Sequence, residues 1–225
     1  RDRYKMPRGR PRAFEKDQAL DTAMRMFWRN GYEGVSIAAL AAEIGVTVPS
    51  LYLAFGNKES LFMQAVAHYE RYSQRLYERA FARASARDVA LQILLGEVEL
   101  VAGRDTPEGC LMIQGALATS PDSEPVRLAM AGLRRDAESA VAARFDRALD
   151  EGDLPPGWNP QSLASYLMTV ATGIAVQAKT GLPRKRLLRV VEMAMLIWPT
   201  PLGSDALPPE AGATDARPKR KVGSN

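Results

Sequence analysis

The chain has 225 residues, of which 46% are hydrophobic and 25% charged, and its net charge is +4 at pH 7. This composition excludes a wholly disordered or fibrous chain, and the length allows one large or two small domains with a real core. The single cysteine, Cys110, excludes an internal disulfide, and no apolar run reaches the ~18 residues of a membrane span. We therefore expect a cytoplasmic protein with no membrane partner.

The charge is distributed unevenly along the chain. Residues 1–12 carry a net charge of +5 and residues 217–225 carry +4, which leaves −5 on residues 13–216. A basic arm can approach a polyanion while an acidic body stays clear of it. We therefore expect residues 1–12 to form a distinct basic N-terminal arm that binds nucleic acid, with a solvated tail as the alternative.

Beyond the arm, apolar residues repeat at helical spacing and no segment alternates with a period of two, so the predicted fold is all-α. The first helix is predicted at residues 15–30. Two short helices follow at residues 36–44 and 48–54, and Gly45 lies between them. A glycine at that point permits a sharp turn, so the pair has the pattern of a helix-turn-helix, whose second helix enters the major groove of DNA.

A much longer helix is predicted at residues 58–84, where one apolar face continues over many turns, and we expect it to link two domains. Segments rich in Pro, Gly, Asp and Ser separate the helices that follow. These helices are predicted at residues 88–102, 108–119, 124–151, 160–180 and 184–198. Residues 199–225 are rich in Pro, Gly and Ala with little apolar content, which predicts a disordered tail.

The segment around the helix-turn-helix resembles the TetR family of bacterial ligand-responsive transcription regulators. The resemblance covers about residues 9–68 and is carried by Gly9-Arg10-Pro11-Arg12, Ala19-Leu20, Phe27, Gly31-Tyr32, Ser36-Ile37, Leu40-Ala41, Ile44-Gly45-Val46, Leu51-Tyr52, Phe55-Gly56-Asn57-Lys58 and Leu61. It implies a DNA-binding domain at residues 13–57 and a larger helical domain for effector binding and dimerisation at residues 58–198. It further implies a repressor without cofactor or metal, which binds a palindromic operator as a homodimer and is released by a small molecule.

The resemblance also implies roles for individual residues. The exposed start of the second short helix would reach base edges, where Thr47 and Ser50 can form hydrogen bonds and Val48 and Pro49 can make only apolar contacts. Phosphate contacts would come from Ser36, Tyr52 and Lys58, and minor-groove contacts from Arg8, Arg10 and Arg12. The alternatives are that Tyr52 is a core aromatic residue and Lys58 an ordinary surface lysine.

The second half of the chain carries the expected dimer and effector sites. Residues 160–180 and 184–198 are apolar or small nearly all round, which favours a four-helix dimer interface over completion of a monomer core. The effector pocket is expected between the long helix and its neighbours, with a lining that suits a largely apolar ligand. Its candidate residues, each of which could instead be plain core, are Tyr69, Tyr72, Leu95, Gln114, Leu117, Met168 and Thr172.

One further hypothesis concerns the reactivity of Cys110, and two others are rival functions for the whole protein. Cys110 is a candidate redox sensor, but its sequence neighbours offer no nearby base to lower its pKa, and an inert buried thiol is the alternative. The rival functions are a helical enzyme that binds a small molecule and a non-specific architectural DNA-binding protein. An enzyme is disfavoured because the chain has one histidine, one cysteine and no phosphate loop or nucleophile elbow.

Overall fold

The computed structural model describes residues 15–103, 106–117 and 119–199. Within these ranges the chain forms nine α-helices, one 3-10 turn and no strand, which confirms the predicted all-α fold. The helices are α1 (Lys16–Asn30), α2 (Ile37–Ile44), α3 (Val48–Phe55), α4 (Lys58–Phe81), α5 (Ala86–Val101), α6 (Leu111–Gln114), α7 (Glu124–Asp150), α8 (Pro160–Lys179) and α9 (Arg184–Leu196). The predicted DNA contacts Arg8, Arg10 and Arg12 and the predicted tail beyond Pro199 lie outside the described residues.

Helices α1 and α3 pack on α4, and α2 packs against α1 and α3. The buried face of α1 includes Met24 and Phe27, as their helical spacing predicted, and also Trp28. The Phe27 ring meets Phe62 of α4 edge to face, with 5.0 Å between ring centroids. Offset and edge-to-face aromatic pairs add specific geometry to apolar burial, so these rings fix how α4 leaves the three-helix unit.

Local capping determines where the short helices begin and end. The side chains of Ser36, Thr47 and Asn57 accept hydrogen bonds from backbone N–H groups in the first turns of α2, α3 and α4. Gly45 ends α2 in the left-handed conformation, with φ of 78°, which a residue with a Cβ rarely adopts. As a result α2 and α3 are bent by 95° relative to each other, within the range of a helix-turn-helix.

Helices α4 to α9 form the larger part of the molecule, and α4 runs from the three-helix unit into it. Arg144 of α7 holds the end of α4, because its Nε donates to the carbonyl oxygen of Phe81 at 3.4 Å. Its Nη2 donates to the carbonyl oxygens of the residues just beyond the helix, Arg83 at 2.8 Å and Ala84 at 3.2 Å. Carbonyl groups at the end of a helix lack partners within the helix. Arg144 therefore anchors the far end of α4 to α7.

One predicted element differs from the structure. The helix predicted at residues 108–119 is reduced to the four residues of α6. Gly109 has a φ of 86° and Cys110 is extended, so the helix cannot begin before Leu111, and Gln114 is its last residue. The other predicted helices are confirmed to within three residues at either end.

No single helix among the described residues has the length and apolar character of a membrane span. The bent pair α2 and α3 meets that test of length and composition only when the two are taken together.

Candidate functional site

The outer face of α3 presents side chains that the core does not use. Leu51 and Phe55 are buried against the three-helix unit, whereas Pro49, Ser50 and Tyr52 are exposed. A short helix held at one side of a bent pair, with its opposite side in solvent, has the geometry that fits a DNA groove.

Two of the predicted base-reading hydroxyl groups also have a structural role. Thr47 Oγ1 accepts a hydrogen bond from the Ser50 backbone N–H at 3.3 Å and lies 2.9 Å from Ser50 Oγ. Ser36 Oγ likewise accepts from the Ala39 N–H at 3.1 Å. A hydroxyl that accepts a capping hydrogen bond keeps its own proton as a donor, so Ser36 can cap α2 and still donate to a phosphate. Thr47 and Ser50 share one hydroxyl–hydroxyl hydrogen bond, so one of their two protons is used there and the other can be donated to a base or a phosphate. Val48, the fourth predicted reader, is half-buried beside them.

Tyr52 and Lys58 lie on either side of the turn between α3 and α4. Tyr52 is 46% exposed, which excludes the alternative that it is a core residue. Lys58 Nζ lies 4.3 Å from the centroid of the Tyr32 ring, a cation–π distance. Partial burial lowers the pKa of Lys58, and nearby Glu33 opposes that change. The Tyr32 ring therefore orients the Lys58 side chain, and the role of Lys58 as a phosphate contact stays a prediction.

Leu53 is an exposed residue of α3 that the sequence reasoning did not single out. Its side chain is 91% exposed, next to Tyr52 and one turn beyond Pro49. Its position in the sequence could have indicated this exposure. Leu51 and Phe55 are the buried residues of α3, and residue 53 lies on the opposite side of the helix from them.

A cavity of about 830 Å³ lies in the larger part of the molecule. Its walls come from α4, α5, α7 and α8 together with the segment around α6. The size fits a drug-sized molecule. Of the seven candidate effector contacts, Tyr69, Met168 and Thr172 line this cavity.

The other four candidates lie elsewhere. Tyr72 and Leu117 are exposed at 40% and 60%. Leu95 belongs to a smaller surface groove between α5 and α9. Gln114 faces α1, where its Nε2 donates to the Trp28 carbonyl oxygen at 3.1 Å. These four residues lie away from the cavity because periodicity gives the inner side of a helix but not the neighbouring helix that this side meets. For Gln114 and Leu117, the shortened α6 also changes the direction of the side chain.

Cys110 lines the cavity and is buried. Its Sγ lies 3.2 Å from the Tyr69 hydroxyl oxygen. Burial raises the pKa of the Cys110 thiol to about 12, and the nearby Glu97 adds to the rise. Since the thiolate is the reactive form, the resting environment favours the inert thiol over the redox sensor.

The sequence reasoning also missed Glu97 and Tyr77 in the cavity wall. Glu97 could have been found, because it is an acidic residue within the apolar stripe of α5 between Ile93 and Val101, which are both buried. Tyr77 is placed there by α4, and its hydroxyl lies 3.9 Å from Met168 Sδ.

Residues 109–117 and 119–120 connect the cavity wall to the end of α1. Trp28 Nε1 donates to the Gly109 carbonyl oxygen at 2.7 Å, and the Tyr32 backbone N–H donates to that of Gly115 at 2.7 Å. Glu33 Oε1 accepts from the Ser120 backbone N–H at 3.0 Å and from its hydroxyl at 2.9 Å. Residues 110, 112 and 113 of the same segment line the cavity, so it touches both parts of the molecule.

Helices α8 and α9 divide their apolar residues between two faces. Most of the side chains that suggested a dimer interface, such as Leu167 and Val191, are buried within the chain itself. The apolar residues left exposed on the two helices are Val176, Val190, Met193 and Leu196, and Ile197 follows them. An exposed apolar face of this kind is typical of a protein interface.

Comparison with known proteins matches both parts of the chain. Residues 19–65 match the family model for bacterial regulatory proteins of the tetR family, and residues 92–193 match the model for the tetracyclin repressor-like C-terminal domain. The HTH-type transcriptional repressor ComR of Escherichia coli (strain K12) is 30% identical over 197 residues, which are 87% of this chain and 94% of ComR. The HTH-type transcriptional repressor BdcR of the same strain is 24% identical over 189 residues, 83% of this chain and 90% of BdcR.

A solved structure resembles the whole described fold. It is a cysteine mutant of the TetR family transcriptional regulator CifR complexed with 26bp double-strand operator DNA. It is 41% identical to this chain with a TM-score of 0.81, and the match covers 85% of this chain and 100% of that one.

Proposed function

Since this chain belongs to the TetR family of bacterial regulatory proteins, we propose that it represses transcription by binding a palindromic operator as a homodimer, and that a small molecule in the cavity releases it. The chain is a DNA-binding transcription regulator with an N-terminal helix-turn-helix domain and a C-terminal helical domain. The proposal concerns how its own residues carry out that function.

The observation that carries the proposal is the free outer face of α3. Its start, at Thr47, Pro49 and Ser50, reaches base edges in the major groove. Tyr52 and Lys58 bind the phosphates that flank the groove, and Ser36 binds a phosphate at the start of α2. The likeness to CifR, which is solved with operator DNA, supports this orientation.

The homodimer forms through the exposed apolar face of α8 and α9. Met193 is 65% exposed and Val176 and Val190 lie in the same pair of helices. Gly173 has open space where a Cβ would be, so another chain can approach α8 closely at that point. A two-fold axis through this face presents two copies of α3 to the DNA, which is why a palindromic operator is expected.

Effector binding reaches the DNA-binding unit through residues 109–117 and 119–120. A ligand that displaces Met112 or Ile113 in the cavity wall also moves the carbonyl groups of Gly109 and Gly115, which hold the end of α1. Release requires only that the ligand prefer the arrangement that does not fit the operator, by ~1 to 3 kcal/mol for useful switching.

Neither rival function, the helical enzyme or the non-specific architectural DNA-binding protein, is supported by the residues that would carry it. The single cysteine is a nucleophile that an enzyme could use in the cavity, and burial holds Cys110 in its unreactive thiol form. An architectural protein that used only its arm would leave the outer face of α3 without a role. We infer a regulator that is not an enzyme and that acts in the cytoplasm.

The test is footprinting of the full chain on the DNA that flanks its own gene. We expect a protected palindrome, and Tyr52→Ala should weaken the protection about tenfold because a phosphate contact is lost. Tyr72→Ala is the matched control, since Tyr72 is a comparably exposed tyrosine on α4. Protection that has no sequence preference would contradict the proposal.

A further inference from the structure

The cavity wall contains an acidic side chain with one carboxyl oxygen that is buried and has no hydrogen-bond partner within the residues that the structure describes. Glu97 lines the cavity from α5. Its Oε1 is shielded from solvent and accepts no hydrogen bond among the described residues. Burial of a carboxyl oxygen without a donor is unfavourable, so a ligand that supplies the missing donor gains from meeting Glu97.

No positive charge in the described part of the chain compensates Glu97. None of its ion pairs includes this residue, and burial raises the pKa of Glu97 to about 7. Arg134 and Arg135 of α7 also line the cavity. However, Arg134 Nη1 donates to the Met112 carbonyl oxygen at 2.8 Å, so this guanidinium is directed to the α6 segment.

Aromatic rings stand near the same carboxyl group. The charge of Glu97 adds to burial in raising the pKa of both Tyr69 and Tyr77, which places both tyrosines within its electrostatic reach. The Phe81 ring also lines the cavity, with its centroid 5.7 Å from that of Tyr77. Aromatic faces attract cations, so the rings and the carboxyl group favour the same kind of ligand.

The other acidic and basic side chains that line the cavity do not reverse this preference for a cation. Acids outnumber bases among them, since two arginines are opposed by Glu70, Glu97, Asp136 and Glu138. The rest of the wall is mainly apolar, with Leu76, Leu100 and Ile113 among its residues.

We propose that the effector is an apolar amine, protonated at neutral pH, whose ammonium group binds Glu97 and whose apolar body fills the space beside Tyr69, Tyr77 and Phe81. This inference rests on the proposed function, because it names the chemical class of the ligand that releases the operator.

Three probes of similar size and different charge test the proposal on the full chain. They are 4-phenylbutylamine, 4-phenylbutanol and 4-phenylbutyrate, and isothermal titration calorimetry at pH 7 measures their binding. We expect the amine to bind roughly 10-fold to 100-fold tighter than the alcohol, as a charged hydrogen bond allows, and the carboxylate to bind weakest. Equal binding of all three, tightest binding of the carboxylate, or no binding of the amine at 10 mM would overturn the proposal.

Substitution of Glu97 tests whether its carboxyl group binds the ammonium group of the amine. Glu97→Gln should bring the affinity for the amine down to that for the alcohol, while the alcohol binds within about twofold of its wild-type affinity. Glu99→Gln is the matched control, because Glu99 is an exposed acid two residues along α5. If Glu97→Gln binds the amine as tightly as Glu99→Gln does, the proposal is wrong. Should Glu97→Gln fail to fold, the ranking of the three probes on the wild-type chain still decides.

Operator release separates this proposal from the proposed function. Fluorescence anisotropy of labelled operator DNA shows whether the amine lowers the affinity of the wild-type chain for the operator. Binding of the amine through Glu97 without release would support the ligand class and contradict the effector role of the cavity. Release by the alcohol or the carboxylate but not by the amine would support the effector role and overturn the ligand class.

Discussion

At the scale of single residues, Leu53 and Glu97 are two side chains whose surroundings differ from what their chemistry favours. Leu53 is an apolar side chain that is 91% exposed, and Glu97 is an acid in the wall of an apolar cavity. A single exposed leucine needs no explanation by itself, but Leu53 lies on the face of α3 that the proposed function directs to DNA.

Leu53→Ala should therefore affect DNA binding and not folding. We expect the free energy of unfolding to change by less than about 0.5 kcal/mol, since the side chain packs against almost nothing. Operator affinity should fall about fivefold, because an apolar contact such as one with a thymine methyl group is lost. Fluorescence anisotropy measures the affinity, and Leu128→Ala, at an exposed leucine of α7, is the control. An unchanged affinity would place Leu53 outside the interface.

Glu97 should make stability depend on pH. Its pKa in the folded chain is about 7, raised from 4.5 by burial, so the folded state binds more protons than the unfolded state between these values. Stability is therefore full below about pH 4.5 and is lost as pH rises through 7, by at most about 3 kcal/mol. The facing groups Tyr69, Tyr77 and Cys110 have raised pKa values and stay protonated in this range.

Glu97→Gln removes this titration. We expect its free energy of unfolding, measured with urea, to rise relative to wild type between pH 5 and pH 8, because the wild-type chain alone must bury a developing charge. Glu99→Gln should follow the wild-type curve. A constant difference between Glu97→Gln and wild type across this range would mean that Glu97 does not titrate there.

At the scale of elements, contacts between helices determine two features, which are the segment of residues 109–117 and 119–120 and the pair α8 and α9. The buried hydrogen bond from Trp28 Nε1 to the Gly109 carbonyl oxygen is 2.7 Å long and joins α1 to the cavity wall. The Trp28 ring also meets Tyr69 edge to face, with 4.7 Å between centroids.

Trp28→Phe should cost about 1–3 kcal/mol of stability, because it leaves the Gly109 carbonyl group buried without a donor. Urea unfolding followed by circular dichroism measures this change. Trp158→Phe, at a half-buried tryptophan before α8, is the control for loss of indole area. A smaller loss for Trp28→Phe than for Trp158→Phe would show that water replaces the lost hydrogen bond.

The exposed apolar face of α8 and α9 should determine the oligomeric state. Met193→Glu places a charge at a residue that is 65% exposed in the single chain, so it should spare the fold and disrupt the dimer by charge burial and repulsion across the two-fold axis. Light scattering after size exclusion should give a mass close to 24.6 kDa for the variant and twice that for wild type and for Leu128→Glu. A dimeric Met193→Glu chain would place the interface elsewhere.

At the scale of the whole molecule, the +4 net charge is the difference between basic ends and an acidic body. Removal of residues 1–12 takes away +5 and leaves −1. Each phosphate contact that is lost lowers the slope of log affinity against log salt by about 0.9. We expect the shortened chain to bind the operator more weakly and with a shallower salt dependence, while it stays folded and dimeric.

Removal of residues 217–225 is the matched control for that deletion, because it takes away +4 from the other end. If charge alone mattered, the two deletions would weaken binding alike when anisotropy is measured across salt concentrations. If removal of residues 1–12 weakens operator binding more than removal of residues 217–225, the arm contacts the DNA duplex directly.

The DNA-binding unit was predictable because its determinants are local. Ser36, Thr47 and Asn57 cap the helices that follow them, and Gly45 supplies the left-handed residue of the turn. Each of these acts within four residues of its own position, so one sequence is sufficient to place the helices. The same local logic failed at α6, where Gly109 and the extended Cys110 shortened a helix that periodicity had extended over twelve residues.

The sequence by itself determined the helices, the helix-turn-helix, the family resemblance and the separation of charge, because capping, periodicity and composition act along the chain. Only the tertiary structure decided which inner faces meet. It brought Tyr69 and Met168 to one cavity, left Tyr72 and Leu95 outside it, and placed Glu97 in the wall. The physical reason is that periodicity fixes the direction of a side chain around its own helix, whereas a cavity depends on how several helices, far apart in sequence, pack together.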